Sequence, residues 1–467
     1  MSESDDDDLE AMLEAELDRI DSASSGSSSG TAVPPTASAS QCPPHPGFIG
    51  GLCIRCGALR SGDANGEPNV ALRYLHQGLE LSAEEAERVR RSTSARALAD
   101  RRLVLVLDLD HTLLNSTRYI DLTPDEAASL NGMVAAEQGE ANGHDDQEAQ
   151  PEAAAAAPQN KPSQDTSPAP ARLPDLVSLP ALQTWTKLRP GVRRFLAEAR
   201  ELFELHVYTM GDRAYARAMG SILDPDGRLF AGRIISANDS TERHVKDLDV
   251  VLGNPEQTLI LDDMEAVWPR HRGNVLPIAR YIYFRSCAER FETGPSWLEK
   301  GSDEAYEDGP LPAILSALRG IHAAFFELRD AGHPGDVRPA LAAARARLLA
   351  GARLLLSRVV PLDSPDPARH PVWRLAEVCG ASCTLQADAR VTHVVAPDWT
   401  TKVLWGHDHG KILVHPDWIV QTAGQWRRLP EGAFPIPRPG KPSEKSRPPR
   451  SEEQELGAVI QAAGGGG

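Results

Sequence analysis

The sequence predicts an α/β protein, with a Rossmann-like parallel sheet followed by a smaller α/β unit and flanked by tails of low complexity. Two segments, "LVLVL" at 103–107 and "TLIL" at 258–261, are apolar on both faces, which is typical of strands buried in a parallel sheet. Each runs directly into acidic residues, and a third short segment, "ELHVYT", ends at Thr209. Because ligands bind beyond the carboxyl ends of such strands, we expect a polar active edge there.

Composition separates these ordered parts from low-complexity segments. The 467 residues include 37 Gly and 37 Pro, and "EAQPEAAAAAPQNKPSQDTSPAPA" interrupts the first sheet region, so we expect a solvated insertion there. In chain order we predict a disordered acidic and Ser-rich tail at 1–41, a cysteine-containing segment at 42–57, the Rossmann-like domain at 69–310 with the insertion at 121–180, a helical linker at 311–350, the small α/β unit at 351–440 and a disordered tail at 441–467.

Local signals place helices between the strands. Ser82 and Glu85 form a capping-box pattern, which predicts a helix that leads into the first strand. "PGVRRFLAEARELF" spaces Val192, Phe195 and Ala199 at helical intervals before the strand that ends at Thr209. The small unit repeats the alternation, with strands "RLLLS" and "THVVA" on either side of a helix near "PVWRLAEVCGA".

Charge and cysteine content argue against several classes of protein. A formal net charge of -17 argues against nonspecific DNA binding, which requires a basic face. We expect neither a membrane span nor a signal peptide, and therefore an intracellular protein. Six cysteines in so long a chain do not make a disulfide framework. The ten acids of residues 1–22 form either a solvated tail or an acidic helix for a partner.

Asp108 and Asp110, two residues apart at the end of a buried strand, are the candidate catalytic pair. Taken alone, such a pair could equally be metal ligands or hydrogen-bonded loop caps. In the catalytic alternative, one carboxylate attacks a phosphoryl group and becomes an aspartyl phosphate, while the other protonates the leaving oxygen and then activates water. A divalent cation would hold these carboxylates beside an anionic substrate, and oxygen ligands suit Mg²⁺.

The motif "DLDHTLL" resembles the D-x-D-x-T motif of the haloacid-dehalogenase-like phosphatases. "KLRPGV", "ELHVYTMGDRAYA", "LDPDGRLF", "RIIS" and "LILDDMEAVW" are similar to segments of the branch that dephosphorylates the C-terminal repeats of RNA polymerase II. Residues 71–116 resemble the plant or algal proteins of this branch. The C-terminal unit resembles a BRCT domain. The resemblance implies a Mg²⁺-dependent protein serine phosphatase of the nucleus, with the phosphorylated polymerase repeats as substrate and general transcription factors as partners.

The resemblance also implies roles for individual residues. Asp108 corresponds to the nucleophile and Asp110 to the general acid/base. Thr209 corresponds to a hydroxyl that contacts the phosphoryl group, and Lys246 to the lysine that stabilises the phospho-intermediate. The implied Mg²⁺ ligands are Asp108, the backbone carbonyl of Asp110, and Asp263, with Asp262 as a supporting acid.

Two further residues are implied at the substrate. Arg189 in "KLRPG" corresponds to an arginine at the substrate phosphate. Thr112 belongs to the D-x-D-x-T motif and mainly shapes its loop. The alternative for Arg189 and Lys246 is an ordinary surface charge.

A second candidate metal site lies near the N-terminus. "CPPHPGFIGGLCIRC" spaces Cys42, His45, Cys53 and Cys56 as C-x2-H-x7-C-x2-C. Two close pairs of thiolate and imidazole ligands suit a tetrahedral Zn²⁺ with a structural role. The alternative is an unmetallated docking segment with reduced thiols.

In the BRCT-like unit, Trp418 of "HPDWI" matches the core tryptophan of such domains. Ser357 and Lys402 match positions that some BRCT domains use to bind phosphate, but Arg358 replaces the glycine that usually follows this serine. Plain protein docking is therefore favoured over phosphopeptide binding.

Two other functions remain open alongside the phosphatase. An inactive fold could serve as a phosphopeptide-binding scaffold of the transcription machinery, although every matched catalytic position is filled. A small-molecule phosphatase of the same superfamily is disfavoured, because a BRCT-like unit has no obvious use on such an enzyme.

Overall fold

The computed structural model describes Cys42 and residues 44–60, 69–142, 174–361 and 364–438. The chain divides into two compact units, residues 1–44 and residues 45–467. The expected tails at 1–41 and 441–467 lie outside the described residues, as does the middle of the expected insertion, residues 143–173.

Short strands occur along the whole described chain. They are β1 Gly47–Ile49, β2 Leu52–Cys53, β3 Val70–Ala71, β4 Leu79–Leu81, β5 Leu103–Leu107, β6 Leu114–Arg118, β7 Leu176–Leu179, β8 Thr184–Leu188, β9 Phe203–Tyr208, β10 Ile234–Ile235, β11 Thr258–Asp262, β12 Val275–Pro277, β13 Arg353–Leu356, β14 Ser382–Thr384, β15 His393–Val395 and β16 Ile412–Val414.

Helices separate most of these strands. They are α1 Ala83–Ala99, α2 Pro124–Asn142, α3 Val192–Arg200, α4 Arg213–Leu223, α5 Arg285–Arg290, α6 Pro310–Asp330, α7 Val337–Arg345, α8 Pro371–Val378, α9 Thr401–Asp408 and α10 Asp417–Gln425.

The central sheet has five parallel strands in the order β10-β9-β5-β11-β12. β5 lies in the middle and all of its residues are buried, which explains why this segment is apolar on both faces. Leu107 is level with Val207 of β9 and with Leu261 of β11, so the residues that follow β5 and β9 and the end of β11 meet at one edge. The predicted Rossmann-like α/β sheet is confirmed.

The segment expected to be a helical linker is instead part of the core. It forms α6 and α7, and Leu318, Phe325 and Leu341 are buried in the same apolar cluster as the residues of β5. By length and composition alone, α6 could cross a membrane, with a mean hydropathy of 1.3. Its apolar side chains, however, pack against α3 and the central sheet, as in the core helix of a globular domain.

The predicted solvated insertion at 121–180 is wrong at both of its ends, because these ends form regular secondary structure. Residues 124–142 form α2, and β7 pairs with β8 in a three-stranded antiparallel sheet of order β6-β8-β7. Leu130 of α2 and Leu176 of β7 are buried together with Trp185. These single apolar residues anchor the ends of a segment whose average composition is polar.

A small antiparallel sheet of order β2-β1-β4-β3 precedes the central sheet. The predicted helix start is confirmed, since the Ser82 hydroxyl accepts a hydrogen bond from the backbone N–H of Glu85 at 3.2 Å. Leu72, Leu81 and Leu252 form one buried cluster. The N-terminal sheet is therefore packed against a loop of the Rossmann-like domain.

The C-terminal unit, residues 353–436, is a second α/β layer, as predicted. Its four parallel strands have the order β14-β13-β15-β16, and α8, α9 and α10 cover them. Trp418 is fully buried in the core of this unit and donates its indole N–H to the backbone carbonyl of Leu429 at 2.9 Å.

The C-terminal unit is not a separate module, because α10 ends inside the core of the first domain. Trp426 packs in the same apolar cluster as β5 and donates its indole N–H to the carbonyl of Pro277 at 2.6 Å. The backbone N–H of Ala279 donates to the carbonyl of Gly424 at 2.9 Å. A Cβ on Gly424 would lie 3.1 Å from Ala279, so this approach is as close as packing allows.

We expect Trp426→Ala to lower the free energy of unfolding by about 3–5 kcal/mol, because it leaves a large cavity between the two domains. Urea denaturation followed by circular dichroism would measure the change. Trp405→Ala is the control, since Trp405 is half-buried within the C-terminal unit alone. Equal effects of the two substitutions would show that the junction contributes nothing special to stability.

Candidate active site

The carboxyl edge of the central sheet carries a cluster of acids. Asp108 follows β5 and its backbone N–H donates to the carbonyl of Leu261 at 2.9 Å, while Asp262 is the last residue of β11. One carboxylate oxygen from each of Asp108, Asp262 and Asp263 lies within 4.8 Å of the others. The sheet register therefore assembles the acids that the sequence predicted would meet.

Lys246 is buried at the centre of this cluster. Its ammonium donates to Asp108 Oδ1 at 2.6 Å and to Asp262 Oδ2 at 2.7 Å, and its side chain is 2% exposed. Although burial acts to lower it, the two carboxylates raise the pKa of Lys246 above its usual range, so the amine stays charged. The surface-charge alternative for Lys246 is wrong.

Asp108 is in a strongly negative environment. Burial raises the pKa of this carboxyl, the carboxylates of Asp262 and Asp263 raise it further, and Lys246 opposes both effects. A divalent cation at this edge would add the positive charge that a single ammonium does not supply.

Asp110 lies at the mouth of the cluster and is oriented by two hydroxyl groups. Tyr215 donates to Asp110 Oδ1 at 2.6 Å, and Thr209 donates to Asp110 Oδ2 at 3.3 Å. Tyr215 comes from the first turn of α4 and its ring lies against Gly211, where a Cβ would approach the ring to 2.5 Å. Gly211 thus leaves the space in which Tyr215 reaches Asp110.

The two predicted threonines are completely buried. Thr209 also accepts a hydrogen bond from the N–H of Gly211 at 3.0 Å, and Thr112 accepts one from the N–H of Asp263 at 3.2 Å. Thr112 therefore ties the loop after β5 to the loop after β11, which agrees with a role in shaping the loop. The phosphoryl contact implied for Thr209 stays a prediction.

Asp262 and Asp263 have different partners. The carboxylate of Asp262 accepts hydrogen bonds from Lys246, from the N–H of Met264 at 2.8 Å and from the indole N–H of Trp268 at 2.9 Å. Asp263 Oδ2 accepts from Arg280 Nε at 2.6 Å. Arg280 thus occupies one oxygen of Asp263, whereas Asp262 holds Lys246 in place.

Arg189 is buried and forms hydrogen bonds to three separate segments of the chain. It is 2% exposed, its Nε donates to Glu304 at 2.8 Å, and its other nitrogens donate to the carbonyls of Thr112 and Ala279, each at 3.0 Å. The surface-charge alternative is therefore wrong for Arg189 as well. Its contact with a substrate phosphate stays a prediction, and the bonds in place connect the loop after β5 to the segment after β12.

The donor set at the sheet edge fits a hard divalent cation. Asp108, Asp262 and Asp263 each offer a carboxylate oxygen, and neither a thiol nor an imidazole belongs to this acidic group. The backbone carbonyl of Asp110 stays a predicted ligand. Oxygen-only sites of this kind suit Mg²⁺ better than Zn²⁺.

Four side chains that bind the acids and Arg189 were not predicted from the sequence. They are Tyr215, Trp268, Arg280 and Glu304. Tyr215 and Trp268 lie within the motif segments "ELHVYTMGDRAYA" and "LILDDMEAVW", so the motifs contain them without indicating their function. Arg280 and Glu304 lie in segments that carry no motif.

The second cluster of predicted ligands lies on the hairpin of β1 and β2. His45 Nδ1 is 3.2 Å from Cys53 Sγ and 3.6 Å from Cys56 Sγ. Burial acts to raise it, but hydrogen bonds from the backbone of Arg55 and Cys56 and from the side chains of Cys56 and His45 lower the pKa of the Cys53 thiol to about 6. This cluster of thiol and imidazole groups can therefore hold a metal.

The fourth predicted ligand of that cluster, Cys42, belongs to the preceding unit and is buried. Cys42, Cys53 and Cys56 form no disulfide. Participation of Cys42 in the site stays a prediction.

Ser357 and Lys402 lie side by side in the C-terminal unit. Ser357 Oγ is 2.9 Å from Thr400 Oγ1, and Lys402 Nζ donates to the carbonyl of Leu356 at 3.5 Å. Arg358 has a φ of 60°, in the left-handed region that favours glycine. The turn thus keeps a conformation that suits glycine although the residue is arginine, and phosphate binding by this pair stays a prediction.

This chain is similar in sequence to known phosphatases. The family model of NLI interacting factor-like phosphatases matches residues 157–291. The RNA polymerase II C-terminal domain phosphatase-like 4 of Arabidopsis thaliana is 40% identical over 394 residues, which cover 84% of this chain and 81% of that protein. The phosphatase-like 3 protein of the same plant is 36% identical over 377 residues, which cover 78% of this chain but 28% of the relative.

A solved structure shows the same fold at lower identity. The structure described as that of Fcp1, an essential RNA polymerase II CTD phosphatase, is 22% identical and has a TM-score of 0.54, and the match covers 75% of this chain and 100% of the solved one. The fold and the acid cluster are consistent with the 40% identity to the first Arabidopsis relative. The chain belongs to the family of RNA polymerase II C-terminal domain phosphatase-like proteins.

Proposed function

We propose that this phosphatase is a Mg²⁺-dependent protein serine phosphatase that removes phosphate from the C-terminal repeats of RNA polymerase II through an aspartyl phosphate on Asp108. The observation that carries the proposal is the buried ammonium of Lys246 between Asp108 and Asp262. Its two short ion pairs place a positive charge directly against Asp108 at the edge of the sheet, where a phosphoryl group can reach the carboxylate.

The first step joins Asp108 to the substrate. A carboxylate oxygen of Asp108 forms a bond to phosphorus as the bond from phosphorus to the serine oxygen breaks, and Asp110 donates a proton to that leaving oxygen. The hydroxyl groups of Tyr215 and Thr209 hold Asp110 in one orientation at the mouth of the site. Asp108, Asp263 and the carbonyl of Asp110 would hold Mg²⁺, which would supply positive charge to stabilise the phosphoryl group during transfer.

The second step releases phosphate. Asp110, now a carboxylate, takes a proton from water as the water oxygen attacks phosphorus, and the bond between phosphorus and Asp108 breaks. Lys246 lies against Asp108 throughout and stabilises the carboxylate that leaves.

The substrate class is supported by the relatives, whose names refer to the C-terminal domain of RNA polymerase II. A nuclear location and contact with general transcription factors follow from this substrate and are part of the proposal. The C-terminal unit, which is anchored through Trp426, would then help to dock the transcription machinery.

We also propose that the hairpin of β1 and β2 binds a structural Zn²⁺. His45, Cys53 and Cys56 already face one another there, and the sequence spacing of Cys42 adds the fourth ligand. The site would stabilise a sheet too small to hold its shape by apolar burial alone.

Asp108→Asn should lower kcat for an aryl phosphate by about 10⁴-fold or more and abolish the trapped phosphoenzyme, because an amide is not a nucleophile. Rapid acid quenching after reaction with a radiolabelled substrate would measure both. Asp226→Asn, at an exposed acid of a loop, is the matched control. Turnover retained by Asp108→Asn would remove this residue from the role of nucleophile.

Phosphorylated repeat peptides should be hydrolysed in the presence of Mg²⁺ and not after its removal with a chelator. Phosphate release from peptides phosphorylated at the second or the fifth serine would be compared with release from small phosphorylated metabolites. Peptide binding without hydrolysis would favour the inactive scaffold, and hydrolysis of metabolites alone would favour a small-molecule phosphatase.

Cys56→Ser should lower the zinc content of the purified full-length chain from about one ion per chain to near zero, because it removes one of the thiolates that the metal requires. Elemental analysis after purification without chelator would measure the content. Cys383→Ser, a half-buried cysteine of the C-terminal unit, is the control. Absence of zinc from the unsubstituted chain would contradict the site.

A further inference from the structure

Arg280 contacts the acid that is best placed to bind a cation. Its Nε donates to Asp263 Oδ2 at 2.6 Å, with side-chain exposures of 17% for Arg280 and 7% for Asp263. The guanidinium carbon lies 4.3 Å from the centre of the Phe291 ring, so the ring supports one side of the group. Arg280 is therefore a largely buried, oriented cation.

The backbone around Arg280 is fixed from both directions. The N–H of Ala279 donates to Gly424 at 2.9 Å and its carbonyl accepts from Arg189 at 3.0 Å, while the N–H of Tyr281 donates to the carbonyl of His111 at 2.7 Å. Arg280 thus lies in a segment held by the C-terminal unit on one side and by the loop after β5 on the other. Because these hydrogen bonds fix the backbone on both sides of Arg280, the guanidinium can hold the carboxylate of Asp263 in one orientation.

Asp263 itself is fixed at its backbone and at one carboxylate oxygen. Its N–H donates to Thr112 Oγ1 at 3.2 Å, and Oδ2 is bonded to Arg280. The carboxylate plane can then adopt few orientations, and among the described residues no hydrogen bond to Oδ1 competes with a ligand. Donor groups behind a metal-binding carboxylate commonly set the affinity of the metal.

We propose that Arg280 is a positioning residue that holds Asp263 as a ligand for the divalent cation. The inference rests on the cation site of the proposed function and adds a residue that lies in none of the motifs described above. Arg280 does not touch the reacting atoms in this scheme, since it acts through the carboxylate of Asp263.

Charge and orientation predict opposite effects of removing Arg280. A guanidinium repels a nearby divalent cation, so by charge alone Arg280→Gln would tighten Mg²⁺ binding. If Arg280 orients Asp263, its removal frees the carboxylate to rotate and weakens Mg²⁺ binding. Arg280→Lys keeps the charge but lacks the planar group that stacks on Phe291, so it tests orientation at constant charge.

The experiment is calorimetric titration of Mg²⁺ into the full-length chain without substrate. We expect both Arg280→Gln and Arg280→Lys to raise the dissociation constant of Mg²⁺ about tenfold or more. Arg290→Lys, the same change at an exposed position at the end of α5, should leave the constant unchanged. Thermal unfolding without Mg²⁺ would establish that each variant is folded.

An unchanged dissociation constant in both Arg280 variants, or tighter binding by Arg280→Gln, would overturn the inference. These results are distinct from failure of the proposed function, which would appear as an unsubstituted chain that binds no Mg²⁺. Weaker binding by the folded Arg280→Lys variant would support orientation, because the charge of the site is then unaltered.

Discussion

The ion triad of Lys246 with Asp108 and Asp262 is the interaction on which the site depends. The two acids come from neighbouring parallel strands, and the register of the sheet places them side by side whatever their charge. A buried carboxylate without a partner costs several kcal/mol, so the strand ends could not both carry acids without a buried cation between them. Lys246 makes this edge of the sheet compatible with a folded protein.

The triad leaves the site short of positive charge. Asp108, Asp110, Asp262 and Asp263 meet there, against the ammonium of Lys246 and the guanidinium of Arg280. In the proposed first step Asp110 carries a proton, so a divalent cation together with these two groups would more than offset the charge of the other three acids. The site would then accept a phosphoryl dianion without a large repulsion. The charge count and the choice of oxygen donors therefore lead to the same cofactor class.

The sequence predicted the strands and the acids because each depends on local features. β5 is buried on both faces, and its uninterrupted run of Leu and Val predicts this. Acids that follow neighbouring parallel strands lie at the same edge of the sheet. Tyr215 and Glu304 escaped prediction because they lie 105 and 115 residues from Asp110 and Arg189, their partners. Such pairs depend on how loops and helices pack, which composition and periodicity do not specify.

The domain boundaries were less well predicted because they too depend on packing between distant parts of the chain. Boundaries were drawn where composition changes, whereas packing crosses those points: α6 enters the core of the first domain, and Trp426 enters it from the C-terminal unit. Trp426 bonds to Pro277, and the Ala279 N–H bonds to Gly424, immediately before the residue that orients Asp263. The C-terminal unit is therefore joined to the acid cluster through the few consecutive residues from Pro277 to Arg280. A shift of this unit would move Arg280 and hence Asp263, although the unit itself does not contact the substrate.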